Sequence, residues 1–327
     1  MRLIGLFILI LSFISCNNEL NVIEEFKDIP VVYGVISATE SVQYIRLERG
    51  FIDANTSALE LAKDPNQLYY PDAQVSLVLK ETGEEFPLEM IDGEDEGYPR
   101  EDGVFAQSPN YLYKINSADM TIIEGQDYEL KIDRGGDDLP IVTASTKMVA
   151  KSRLISPNPS TTSAIDFNYV QFNTFSWLGG DGAATYDFYI RFNYRERVGS
   201  NGPFDDKSVT WLVIKNTELD EYETAGRNFY SFLSGAIPQD QNYERRFSDI
   251  DVVLESGGQE ILELNRINSA NLGITSSQDV PSYSNLSEGR GIFSSKYKDE
   301  ITGISLSPRS LDSLANGIIT GELGFRN

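Results

Sequence analysis

"TYDFYIRFNYRE", residues 185–196, sets Tyr186, Phe188, Ile190 and Phe192 in alternation with Asp187, Tyr189 and Arg191. A period of two puts each set on its own face of a pleated strand, so this stretch predicts a strand with one apolar face turned to a core. Ahead of it, "NTFSWLGGDG" places Trp177 on another predicted strand before a glycine-rich turn. Behind it, "VTWLVIKN" reads as a further strand, and "RNFYSFLSG" as a short helix with Gly235 as its C-cap. "DIDVVLES" and "QEILELNRI", joined by Gly257-Gly258, predict a hairpin. Near the end, Ser310 as N-cap and Gly317 as C′ residue frame a last short helix, with "IITGELGF" as a final strand.

The earlier half carries the same signature. "IPVVYGVIS" and "VQYIRLERGF", separated by "ATES", predict two antiparallel strands. Val42 and Tyr44 alternate with Gln43, Ile45 and Leu47, so neither face is cleanly polar and cover on both is expected. "SALELAK" holds Ser57 three residues before Glu60, the capping-box spacing, and Asp64-Pro65 is expected to stop that helix. "AQVSLVL" and a partner through Phe86, Leu88 and Met90 form a predicted hairpin around "ETGEE". "YLYKI", "DYELKID" and "IVTASTKMV" complete about seven short strands, the pattern of an immunoglobulin-like sandwich. At "SRLISPNPSTTSAI" two prolines and a Ser/Thr cluster mark a module boundary.

A tryptophan one turn ahead of a tyrosine-led strand resembles a fibronectin type III module, in which that tryptophan fills the sandwich core. The expected fold is therefore all-β: two β-sandwich modules, immunoglobulin-like over 30–150 and fibronectin type III-like over 151–327, with a few short helices.

Composition narrows the chemistry. The chain has 50 Asp and Glu against 27 Lys and Arg, a net charge of −23, so it repels phosphate backbones and nucleic acid is excluded as an expected partner. With no histidine and one cysteine, Ser-His-Asp and Cys-His constellations and His-ligated zinc sites are ruled out. "SKYK", Ser295 to Lys298, fits S-x-x-K but lacks the companion S-D-N and K-T-G motifs. No catalytic residue, metal ligand or cofactor is expected. Asp92, Glu94, Glu96 and Gly97 partly imitate a calcium loop, but Gly103 stands where the bidentate glutamate is required, so "DGEDEGYPREDG" reads as a solvated hairpin tip. Of the 17 Tyr and 17 Phe most are expected in the core, with Tyr69, Tyr70 and Tyr98, beside proline-rich loop sequence, as surface candidates.

The one cysteine has a different setting. "MRLIGLFILILSFIS" carries Arg2 and then an apolar run from Leu3 to Leu11 that resumes at Phe13 and Ile14. A bilayer span needs about 20 such residues, so the run suits the core of an export signal. "FISC" resembles a bacterial lipobox, with Phe13 where leucine is usual. That resemblance implies a signal over 1–15, lipid on the sulfur of Cys16, and a polar, acidic tether over 16–29. Each buried acyl CH₂ contributes about 0.8 kcal/mol, and two or more chains give stable anchoring.

"PVVYGVISATESVQYIRLERGF", "ALELAKDPNQLYYPDAQVSLVL" and "NLGITSSQDVPSYSNLSEGRGIFSS", behind that lipobox, resemble a family of outer-membrane lipoproteins of Bacteroidota built on a domain of unknown function. The last segment, with Pro281, Asn285, Gly289, Gly291 and Phe293, is the most specific part. The resemblance implies a two-module β lipoprotein, held at the outer membrane and often encoded near TonB-dependent receptors, with no catalytic residues to carry over. The expected function is non-enzymatic binding as an accessory to such a receptor or another outer-membrane complex, its ligand unspecified. A fimbria-like structural subunit and, behind it, a carboxylate-based glycan hydrolase are the alternatives. Glu19, Glu24 and Glu25 loosely match surface-export signals, leaving both faces of the outer membrane open. The glycines flanking Arg290 are expected to let that loop pack closely against the first module.

Overall fold

The computed structural model describes residues 27–52, 57–136, 138–199, 201–240, 242–271 and 282–326. The export segment 1–15, Cys16, the tether up to residue 26 and Pro281 lie outside the described residues. In chain order the strands of the first half are β1 (Lys27–Ser37), β2 (Val42–Ile52), β3 (Gln74–Leu79), β4 (Glu84–Pro87), β5 (Glu89–Asp92), β6 (Tyr111–Asn116), β7 (Asp127–Asp133) and β8 (Val142–Lys147). Helices α1 (Ala58–Leu61) and α2 (Pro65–Leu68) separate β2 from β3. The second half has β9 (Arg153–Ser156), β10 (Ala164–Ile165), β11 (Phe172–Leu178), β12 (Thr185–Val198), β13 (Asp205–Thr217), β14 (Glu221–Ala225), β15 (Tyr243–Gly257) and β16 (Arg290–Leu306). Its helices are α3 (Gly226–Ala236), α4 (Gln259–Asn271) and α5 (Pro308–Asn316).

The fold is all-β, with sheets packed over two apolar cores. One nine-stranded sheet runs β13-β12-β15-β16-β1-β2-β6-β5, with β10 attached to β16. A four-stranded sheet, β4-β3-β7-β8, shares the first core with it, and a three-stranded sheet, β14-β11-β9, shares the second. The alternation in 185–196 is realised: Phe188, Ile190 and Phe192 are fully buried, Tyr186 and Tyr194 nearly so. Trp177 is buried and stacks on Phe188 at 5.7 Å. Burying such side chains contributes about 1.5–3 kcal/mol each.

Residues 30–150 do not build their core alone. Phe293 and Tyr297 of β16 join Val32, Ile36, Ile45, Leu77, Tyr128 and Leu130 in the first core, while Ile304 and Leu306 of the same strand join the second. β16 lies between β15, antiparallel, and β1, parallel, so one continuous ladder crosses the boundary expected at 150/151. Two glycines permit the approach. Gly289 and Gly291 have φ of 98° and 120°, and a β-carbon would lie 2.2 Å from the Pro30 carbonyl oxygen in the first and 1.8 Å from that of Val32 in the second.

Several local expectations are corrected. The segment through Phe86, Leu88 and Met90 is two strands: Phe86 pairs with Leu77 in the small sheet, and Met90 with Tyr113 in the large one. Asp64-Pro65 starts a helix as well as stopping one, since the Asp64 carboxylate accepts from the Asn66 amide at 3.0 Å with Pro65 at the first helical position. Glu60 pairs with Lys63 at 3.2 Å. No hairpin forms at Gly257-Gly258. β15 already has β12 on one side and β16 on the other, so no ladder is free, and Gln259 onward, rich in helix formers, turns into α4. Gly235 lies within the last turn of α3, whose end is capped by Ile237 donating to the Leu233 carbonyl at 2.9 Å. The N-cap of α5 is Ser307, and the Ser310 hydroxyl instead accepts from the Phe167 amide at 2.8 Å. After α5 the chain makes a 3-10 turn over Gly321–Leu323, and only Phe325 forms a bridge, to Arg245. Residues 27–29 of the expected tether belong to β1. Among the described residues no helix is long and apolar enough to cross a membrane.

Candidate functional site

The chain enters the described structure at Lys27, and a cluster of charged groups surrounds the next residue. Asp28, on β1, accepts from the Tyr70 hydroxyl. Arg49, on β2, holds its Nε 3.7 Å from the second Asp28 oxygen and its guanidinium 4.3 Å over the Tyr70 ring. Arg134, in the turn after β7, has a side chain with no solvent exposure; its Nη1 lies 3.5 Å from Asp28. Its Nη2 donates to Glu288 at 3.2 Å and to the Pro140 carbonyl at 3.1 Å. Burial first, and then the Asp28 carboxylate beside it, push the Tyr70 phenol well above its ordinary range, so it acts as a neutral donor. Among the described residues Arg134 Nε and Arg49 Nε have no hydrogen-bond partner.

An open cavity of about 320 Å³ lies against this cluster, lined by Asp28, Ser282, Ser284, Glu288 and Arg290 among others. Chemically the cluster is a clasp. It ties β1 to the segment leading into β16, and each carboxylate faces a guanidinium. Removing one partner of such a buried group costs about 3–5 kcal/mol, because the other charge is left uncompensated.

The candidates read from the sequence fall elsewhere. Cys16 lies outside the described residues. The loop Asp92 to Gly103 follows β5 in the β5–β6 hairpin with most of its residues exposed, and it is tied to the sheet: Arg100 pairs with Glu48, and Glu96 accepts from Lys114 at 2.6 Å and from the Tyr44 hydroxyl at 3.2 Å. Asp92 accepts from the Glu94 and Asn110 amides, each at 3.1 Å. Among the described residues no group of three His, Cys, Asp or Glu stands close enough to hold a metal ion. Tyr69 and Tyr70 are buried, Tyr69 donating to the Pro109 carbonyl at 2.9 Å; Tyr98 alone of the three is exposed, at 53%, edge-on to Tyr44. Ser295 is buried and bonded on both sides, donating to the Lys147 carbonyl at 2.7 Å and accepting from the Val149 amide at 3.1 Å, while Lys298 pairs with Glu300 at 2.8 Å.

Asp28, Arg49, Tyr70, Arg134 and Glu288 come from five separate stretches, so no spacing in the sequence joins them. The only signal was the glycine-flanked Arg290, which marks where β16 approaches β1.

The chain matches no family model and no curated protein sequence. Among solved structures it is similar to one titled "Crystal structure of DIP-gamma IG1+IG2", at 9% identity over 83% of this chain and 98% of that one, with a TM-score of 0.20. It is also similar to "Crystal structure of Dpr11 IG1 bound to DIP-gamma IG+IG2", at 8% identity over 82% and 99%, again with a TM-score of 0.20.

Proposed function

We propose that this chain is a lipid-anchored, non-enzymatic binding protein of the outer membrane, an accessory to a TonB-dependent receptor or another outer-membrane complex. The observation that carries the reading is Cys16 at the end of "FISC", behind the apolar run that begins at Leu3. Ten residues, 17–26, separate it from β1. Fully extended, that tether spans at most about 35 Å, so the described strands stand close to the lipid. Both carboxylates of the Asp28 cluster are paired with guanidinium groups, which favours a holding role over chemistry. β1 is flanked on both sides by paired strands, and this gives no support to a subunit whose first strand is removable.

Metabolic labelling with palmitate, followed by membrane fractionation of wild type and Cys16→Ala, tests the anchor. Label on wild type only, with loss of membrane association in the variant, is expected. An unlabelled wild type, or a variant with unchanged processing and location, overturns it. Gentle detergent extraction that brings down an outer-membrane barrel in stoichiometric amount supports the accessory role; release of reducing sugar from mixed polysaccharides would instead revive the hydrolase.

A further inference from the structure

Most sheet edges in this fold are guarded. A free strand edge is a template for pairing, and proteins blunt it by shortness, charge, proline or cover. β4 is four residues long with Glu84, Glu85 and Pro87; β5 and β9 are also four residues long; and β14 carries Glu221 and Glu223. The edge of β8 is covered: Leu286 bridges Ala144, the Ser287 amide donates to the Thr143 carbonyl at 2.7 Å, and the Thr143 amide donates to the Ser287 hydroxyl at 2.8 Å.

β13 is different. It is thirteen residues long and forms one end of the nine-stranded sheet. From Asp205 to Leu212 it runs in unbroken register with β12, from Glu196 to Tyr189, and irregularity begins only beyond Leu212. Ser208 to Ile214 contains no charge, proline or glycine. Among the described residues no backbone group outside β12 bonds to the Asp205–Leu212 backbone. Leu212 is 47% exposed, and Val209 and Trp211 are half-buried, Trp211 stacking on Phe232 of α3 at 6.0 Å. Val209 and Trp211 lie on the core side of the strand and Leu212 on the other, so apolar side chains flank the open ladder on both faces.

We propose that this edge pairs with the same edge of a second copy, antiparallel about a two-fold axis near Thr210. Two observations select that occupant. Antiparallel pairing sets the acidic end, Asp205 and Asp206, of one copy toward Lys215 of the other, whereas parallel pairing sets acid against acid. Among the described residues the remaining edges are short, charged or covered, so a head-to-tail chain finds no second edge there, while an isologous pair closes on itself. Centred on Thr210, the pairing brings Val209 opposite Trp211, Ser208 opposite Leu212, and Thr210 opposite its own copy. The inference goes beyond the anchoring reading and stands without it.

The test is sedimentation velocity of the full chain in density-matched detergent over a concentration series, with hydrogen exchange read on 205–215. Wild type is expected to shift from monomer to dimer mass, with slowing exchange at Ser208–Leu212. Thr210 is exposed, so Thr210→Lys and Thr210→Glu are expected to keep the near-ultraviolet circular dichroism of wild type; each alone is expected to lose the dimer, and an equimolar mixture to regain it. A monomer at every soluble concentration overturns the proposal, as does a dimer that Thr210→Lys leaves intact. Protection of this strand only when a foreign extended peptide is added, with the chain alone monomeric, assigns the edge to a different partner and overturns it too.

Discussion

Gly291 lies directly opposite Val32 across the parallel ladder, and an added β-carbon would stand 1.8 Å from the Val32 carbonyl oxygen, at a backbone φ of 120°. Both the clash and the left-handed backbone oppose any side chain there. Gly291→Ala is therefore expected to cost about 3 kcal/mol or more, read as a lower urea midpoint. An unchanged midpoint would mean that β16 does not seat against β1 in this register.

Phe293, two residues on, is fully buried in the first core although it comes from the second half of the chain. Phe293→Ala should cost about 3–5 kcal/mol. Hydrogen exchange should then quicken in β3 and β7 as well as in β16. Exchange that quickens in the second half alone would show two independently stable units.

Arg245 is 2% exposed; its Nε pairs with Glu196 at 3.0 Å and its Nη1 donates to the Leu323 carbonyl at 2.5 Å. Its backbone also holds Gly324 and Arg326. Arg245→Ala leaves Glu196 and that carbonyl without their donor, so a loss of about 3–5 kcal/mol is expected, with fast exchange or proteolysis at 321–326. Normal protection of the C-terminal turn in the variant would contradict this.

Two carboxylates should titrate in opposite senses. Hydrogen bonds from Arg197 and then Arg246 hold Glu244 below its ordinary 4.5. A carboxyl whose folded pKa is depressed stabilises the fold above its unfolded pKa, and that contribution is lost as pH falls through the lower folded value. Glu244→Gln should flatten the acid limb of a stability profile below pH 4.5. Burial pushes Asp187 above its ordinary 3.8, although the Asn216 amide donates to it at 2.7 Å. Here the charged form is disfavoured, so stability is lost as pH rises through the folded value. Asp187→Asn keeps an acceptor for that amide and should raise the midpoint at neutral pH, the gain vanishing below pH 3.8. A variant equal to wild type at neutral pH would contradict this.

The strands were legible because most have one apolar face: Tyr186 to Phe192 and Val75 to Leu79 show in their alternation which side is buried. Sheet membership was not, because it depends on neighbours far away in the chain. Nothing within "FPLEMI" says that Phe86 and Met90 pair in different sheets, and "QEILELNRI" fits either period until β12 and β16 occupy both sides of β15. Tyr69 and Tyr70 sit among loop residues, yet the Pro109 carbonyl and Asp28 draw their hydroxyls inward. The Asp28 cluster was invisible for the same reason, since four charged side chains and a phenol from five stretches meet only in the folded sheets, Glu288 alone coming from the second half.

The position of β1 sets how the fold resists a pull on its N-terminal side. A pull on the chain ahead of Lys27 loads β1 along its own axis, across ladder bonds that β2 makes from Lys27 to Gly34 and β16 from Val31 to Ser37. Those bonds stretch in shear, and neither flank can peel away one rung at a time as an outermost strand would. Extracting β1 under such a pull requires the rungs on both its flanks to break together, so the lifetime of the fold under tension follows its unfolding barrier rather than its equilibrium stability.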